Sequence, residues 1–200
     1  MSRCQKDWIK RTIAIGRPGG TLESSPAIYR RGYPEMGVAR PRGTAETLFV
    51  MANTYSSLNI HYVFSTKNRV PMIVGDVKDR LWAFMGGIAR ENGMKARCIG
   101  GIADHAHLLI SMPTTLSIAK GIQLIKGGAS TWIHETFPEM EHFAWQEVYG
   151  AFSVSASHLA ETIAYIENQE EHHRHKSFQE EYLAFLKKHE IDYNEKYLWD

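Results

Sequence analysis

The chain has 200 residues, a formal net charge of +1 and 44% hydrophobic residues. That length allows one ordinary domain plus an extension, and the balanced charge excludes a surface that is basic all over. Apolar runs such as "HLLISM" fall far short of the roughly 20 residues of a membrane-spanning helix, and Cys4 and Cys98 are single and far apart, without metal-ligand spacing, so no disulfide framework is expected.

The charge is uneven along the chain. Residues 1–50 hold 9 Lys/Arg against 4 Asp/Glu, and residues 51–200 hold 14 against 18. The first fifty residues are rich in Gly, Pro, Arg and Ser, and they carry neither helical nor strand periodicity. They read as an irregular basic extension without the apolar core of a signal peptide. Two accounts stay open: a mis-assigned start upstream of Met51, or a basic arm that touches nucleic acid. The main body, 51–200, is expected to be one domain in a reducing cytoplasmic setting.

From Met51 the elements follow in order. "SLNIHYVFST" alternates and reads as a strand. "KNRVPMIVGD" is a loop in which Asp76 is placed to cap a helix. "VKDRLWAFMGGIAREN" is helical, with Leu81, Trp82, Met85 and Ile88 on one face and Gly93 where a helix stops. "KARCIGGIA" and "HAHLLISM" are the second and third strands. "LSIAKGIQLIKGGASTWIHETFP" is a second helix ended by Pro138, and "FAWQEVYGAFSVS" is a strand broken near Gly150. Ser157 is placed to cap a third helix, "HLAETIAYIENQEEHHRHK", and the charged helix "FQEEYLAFLKKHE" follows. The order β-α-β-β-α-β is the ferredoxin-like arrangement: an α+β antiparallel sheet with two helices on one face. The other face needs a cover, and the extra C-terminal helices of this chain or of a partner are the candidates.

In a strand, residues i and i+2 share a face. His105 and His107 therefore lie side by side, with Ala106 and Leu108 opposite. Two imidazoles form half of a metal site, although a bare pair reads first as two polar residues facing solvent. In the third helix Tyr165 and Gln169 are one turn apart. A tyrosine can act as a covalent nucleophile, and a glutamine carbonyl is a hard ligand for Mg²⁺ or Mn²⁺. Alone, that spacing is weak evidence.

Five blocks occur together and in order: "HYVFSTKNR" (61–69), "ADHAHLLISMP" (103–113), "SIAKGIQLIKGGAS" (117–130), "WQEVYGAFSVS" (145–155) and "YIENQEEHH" (165–173). Through them the chain resembles the single-tyrosine HUH transposases of bacterial and archaeal insertion sequences, named for a His, hydrophobic, His motif. The resemblance covers most of residues 55–185. It implies a compact homodimer that cleaves and rejoins single-stranded DNA at hairpin-containing element ends. It also implies His105, His107 and Gln169 as ligands of Mg²⁺ or Mn²⁺, Tyr165 as nucleophile, and no nucleotide cofactor. Active sites shared in trans are expected, with Gly150 and "SVSAS" as a flexible joint. One departure is Ala106, a small residue at the middle of the motif.

Other residues are weighed against these. Tyr149 is the alternative nucleophile. "HHRH", His172–His175, reads as a polar helix end that meets phosphates rather than as a ligand set. Lys67, Arg69, Arg97, Lys120 and Lys126 form the candidate DNA-binding patch. Trp145 and Phe152 could stack on bases, with a core role as the commoner outcome. The competing functions are a ferredoxin-like nucleic-acid-binding module without strand transfer, and a phosphodiesterase that uses water.

Overall fold

A computed structural model of the chain describes residues 55–194, 198 and 199; the basic extension predicted over 1–50 lies outside them. Four strands are present: β1 (Asn59–Ser65), β2 (Lys95–Ile102), β3 (His105–Ser111) and β4 (Gly150–Val154). They form one antiparallel sheet in the order β2-β3-β1-β4. With α1 (Gly75–Glu91) between β1 and β2, and α2 (Ile118–Thr136) between β3 and β4, this is the ferredoxin-like order predicted from the sequence. No helix among the described residues is long and apolar enough to cross a membrane.

Strand periodicity divides the sheet's side chains between two cores. Ile60, Tyr62 and Phe64 of β1 and Ala106, Leu108 and Ile110 of β3 pack against Leu81, Trp82 and Met85 of α1 and Ile122, Ile125 and Ile133 of α2. Ala106 is fully buried in this layer. The opposite face carries His61 and Val63 of β1 and His105, His107 and Leu109 of β3. Three further helices, α3 (Leu159–Glu167), α4 (Gln169–His172) and α5 (Phe178–Lys188), follow β4 in the chain. Ile166 of α3 packs on Cys98 and Leu109, and Phe178, Tyr182 and Leu186 of α5 pack on Val63 and Phe152. The second face is therefore covered by the chain's own C-terminal helices.

Several local expectations change. Asp76 does not cap α1; the helix begins one residue earlier, and Asp76 sits in its first turn, paired with Arg80 at 3.1 Å. There it faces the positive end of the helix dipole. Ser157 caps nothing: a 3-10 turn over Ala156–His158 leads into α3, with Ser155, Ser157 and His158 bonded to one another. The long third helix breaks at Asn168 (φ −105°, ψ 21°), whose N–H is shared between the carbonyls of Ala164 and Tyr165. Asparagine is a weak helix former, and after the break Gln169 is almost wholly buried. Gly150 is no joint, because β4 runs from Gly150 to Val154 and pairs with β1; the connection to α3 is confined to Ser155–His158.

Candidate metal and nucleophile site

The β2–β3 hairpin sets the two histidines. Ile102 pairs with His105 and Gly101 with Ala106, so Ala103 and Asp104 alone make the turn. Gly101 has φ +144°, and a Cβ there would lie 2.2 Å from the His105 carbonyl oxygen, so the turn tolerates only glycine. Gly100 lets α3 approach β2, since a Cβ would come within 2.9 Å of the Ile166 carbonyl oxygen. Neither His105 nor His107 faces solvent; both have 0% exposure.

Hydrogen bonds fix the ring tautomers. His105 Nδ1 donates to Asp104 Oδ1 at 2.7 Å. Burial pushes the Asp104 carboxyl up, but His105 and Arg69 outweigh it and hold the group below its ordinary range. An ionised Asp104 keeps the proton on Nδ1, so His105 Nε2 presents a lone pair. His173 Nδ1 donates to the Lys176 carbonyl at 2.8 Å, which likewise leaves its Nε2 as an acceptor. Gln169 Nε2 donates to Tyr165 O at 3.4 Å and to Glu181 Oε1 at 3.3 Å. Its Oε1 then points at His105 Nε2 (3.3 Å) and His173 Nε2 (3.1 Å).

Glu181 Oε2 completes the group. It lies 3.1 Å from His173 Nε2, 3.6 Å from His107 Nε2 and 3.9 Å from His105 Nε2. Both Glu181 Oε2 and His107 Nε2 are buried without a hydrogen-bond partner. Ligand atoms of His105, His107, His173 and Glu181 all fall within 4.8 Å of one another. Three imidazole nitrogens and two oxygens thus converge with no donor among them once His107 also presents Nε2. Such a set repels itself unless a shared proton or a metal ion sits among it, and its chemistry fits a divalent metal ion. Burial pushes the Glu181 carboxyl up to about 7, with His105 opposing and Asp104 reinforcing. Burial lowers His107 well below the ordinary histidine value, and His105, His173 and His172 add to the effect. A neutral imidazole is the form that ligates metal.

Tyr165 lies on the same face. Its ring is edge-on to His107 at 5.7 Å, to His172 at 5.1 Å and to Phe185 at 5.9 Å, and it is partly exposed. Tyr149 packs in the opposite core, 6.4 Å from Tyr62, with Lys126 over its ring. Trp145 and Phe152 are core residues: Trp145 stands edge-on to Phe64 and Phe143, and Phe152 stacks on Phe185.

The basic residues are less alike than their spacing implied. Lys67 and Lys120 are exposed, and Lys120 reaches Gln123. Arg69 pairs with Asp104 at 3.1 Å and lies over the Phe178 ring. Arg97 falls where the β2–β3 register shifts between Ala96 and Cys98. Lys126 turns inward to the carbonyls of Gln146 and Glu147, and burial lowers its ammonium to about 8. The five therefore do not form one patch of equivalent free cations.

Sequence reading missed His61, His173 and Glu181. His173 lies within "HHRH", where a continuous helix sends consecutive side chains to different sides; here the helix breaks at Asn168, and His173 Nε2 meets Glu181. Glu181 left a usable signal. It sits among Phe178, Tyr182 and Phe185 on the apolar face of α5, where an unpartnered carboxylate is out of place.

Residues 54–169 match the model of the family described as "Transposase IS200 like". The ISDra2 transposase TnpA of Deinococcus radiodurans is 27% identical over 117 residues, which is 56% of this chain and 84% of that protein. A transposase crystal structure from Deinococcus radiodurans R1 is 27% identical, covering 58% of this chain and 93% of the other at a TM-score of 0.49. The structure of a REP-associated tyrosine transposase bound to a REP hairpin is 13% identical, covering 60% and 72%, with a TM-score of 0.47. The family match ends at Gln169, before His173 and Glu181.

Proposed function

The chain belongs to the IS200-like transposase family, and on that premise we propose that this DNA transposase cuts and rejoins single-stranded DNA at insertion-sequence ends through a covalent 5′-phosphotyrosine on Tyr165. The observation that carries the reading is the placement of Tyr165 beside His107, on the face where the unpartnered acceptors converge. His105, His107 and Gln169 would hold a divalent ion, Mg²⁺ or Mn²⁺. When bound, such an ion polarises the scissile phosphate and stabilises charge on its oxygens.

The chain's own residues supply the rest. The Tyr165 phenol attacks phosphorus and expels a 3′-hydroxyl, which leaves the 5′-phosphate esterified to the ring. One phosphodiester is exchanged for another, so little bond energy is lost. A different 3′-hydroxyl can reverse the step and join new strands without ATP. Asp104 holds His105 in the ligating tautomer, and Lys67 and Lys120 are exposed cations suited to the DNA backbone. A phosphate reaches the fully buried histidines only after the covering helices shift, so DNA entry and movement of α4 and α5 are coupled. The partner is single-stranded DNA with hairpin-forming ends, and the acting form is a homodimer in which α3 of one subunit serves the histidines of the other.

The test is covalent trapping. Wild-type protein incubated with end-containing single-stranded DNA should give a protein–DNA band that survives SDS. Tyr165→Phe should bind the same DNA and give no such band. An adduct formed by the Phe variant would remove Tyr165 from the role.

A further inference from the structure

Helix α5 places a carboxylate where packing alone calls for an apolar side chain. Phe178, Tyr182, Phe185 and Leu186 recur at helical spacing, and Glu181 sits among them with 3% exposure. Capping does not explain it, because the capping box uses Ser177 and the neighbouring Glu180. Burying an ionised carboxylate without a counter-charge costs several kcal/mol, about what one or two fully buried apolar side chains contribute. Its Oε2 lies 3.1 Å, 3.6 Å and 3.9 Å from the Nε2 atoms of His173, His107 and His105. Gln169 donates to its other oxygen, which turns Oε2 toward the imidazoles.

We propose that His173 and Glu181 are ligands of the same divalent ion as His105 and His107, so that in the DNA-free protein the ion fastens α5 over the histidine face. This rests on the reading of His105, His107 and Gln169 as ligands. Ligand atoms then come from β3, from α4 and the residue after it, and from α5, three parts of the chain with separate roles in the fold. With Gln169 these residues would offer five protein atoms to the ion, which would leave little room for phosphate oxygens. In the DNA-free protein the carboxylate and His173 fill places that phosphate oxygens need, and their release accompanies opening. Both residues lie beyond the family-matched segment, so this tether belongs to the chain's C-terminal part.

Calorimetric titration of the full chain with Mn²⁺ alone, beside hydrogen exchange of residues 178–188 with and without Mn²⁺, tests this without reference to DNA cleavage. Wild type should bind Mn²⁺ and show slower exchange in α5 when loaded. Glu181→Gln, which keeps size and packing, and His173→Ala should each weaken Mn²⁺ binding at least tenfold and abolish the metal-dependent protection of α5. Circular dichroism verifies that the variants are folded, and His105→Ala serves as the reference for loss of a core ligand. If both variants bind Mn²⁺ as wild type does while His105→Ala fails, the proposal falls and the transposase reading stands. If wild type binds no Mn²⁺, both fall.

Discussion

His107 Nδ1 lies 3.0 Å from His61 Nε2, and both rings are buried on the face that carries the acceptor cluster. One of the two nitrogens must carry the proton. Only if His107 Nδ1 donates does its Nε2 keep a lone pair for a metal. Burial, followed by the neighbouring His107, pushes His61 well below the ordinary histidine value, which keeps it neutral and able to accept. In that arrangement His61 would position His107. His61→Phe should lower Mn²⁺ affinity by about 10- to 100-fold, whereas His61→Gln, which keeps an acceptor oxygen, should lower it less. Titration calorimetry on both variants checks the order; equal affinity in wild type and the Phe variant would remove the positioning role.

The ligand chemistry predicts a metal preference. Imidazole nitrogens suit transition metals, whereas Mg²⁺ prefers oxygen and retains its water. Protein stripped with EDTA should give no covalent adduct. Mn²⁺ should restore it at a concentration at least tenfold lower than Mg²⁺. Adduct formation with both ions at the same concentration would show that the three imidazoles do not govern selection.

Within one chain Tyr165 stands next to its own His107, a cis arrangement. A trans site requires α3 to leave this position, and the short Ser155–His158 link is where the chain can redirect it. Mixing Tyr165→Phe subunits with His107→Ala subunits tests the exchange. Neither is active alone, and a trans dimer unites the intact histidines of the first with the intact tyrosine of the second. Recovery of roughly half the wild-type adduct is expected in verified heterodimers, since one of two centres is whole. No recovery would assign the reaction to the cis arrangement.

Glycine placement gives a stability contrast. Gly101→Ala forces a Cβ into the His105 carbonyl at a positive φ. It should cost about 1–3 kcal/mol from backbone strain alone and weaken Mn²⁺ binding by displacing His105. Gly87→Ala, in the middle of α1 with open space around its Cβ, should instead stabilise by about 0.5–1 kcal/mol. Urea unfolding of both variants measures the difference, and a neutral Gly101→Ala would show that the hairpin can relax.

The sequence alone determined the layer architecture and the placing of His105 beside His107. Period-2 alternation marked β1 as a strand and, in β3, put His105 and His107 together on one face with Ala106 and Leu108 on the other. Helical periodicity located α1 and α2, and the ordered blocks pointed to the family. These features are local, or repeat at a fixed period, so they can be read without knowing what packs on what. Tertiary structure decided the rest. Whether His105 and His107 meet solvent or a helix depends on where α5 docks, over 70 residues later in the chain. The inward turn of His173 depends on a break at Asn168 that periodicity does not register. Lys126 reads as a free cation until the carbonyls of Gln146 and Glu147 are seen beneath it. Glu181 becomes a ligand candidate only because folding sets its carboxylate against nitrogens from β3 and from the residue after α4, a convergence that no spacing along the chain encodes.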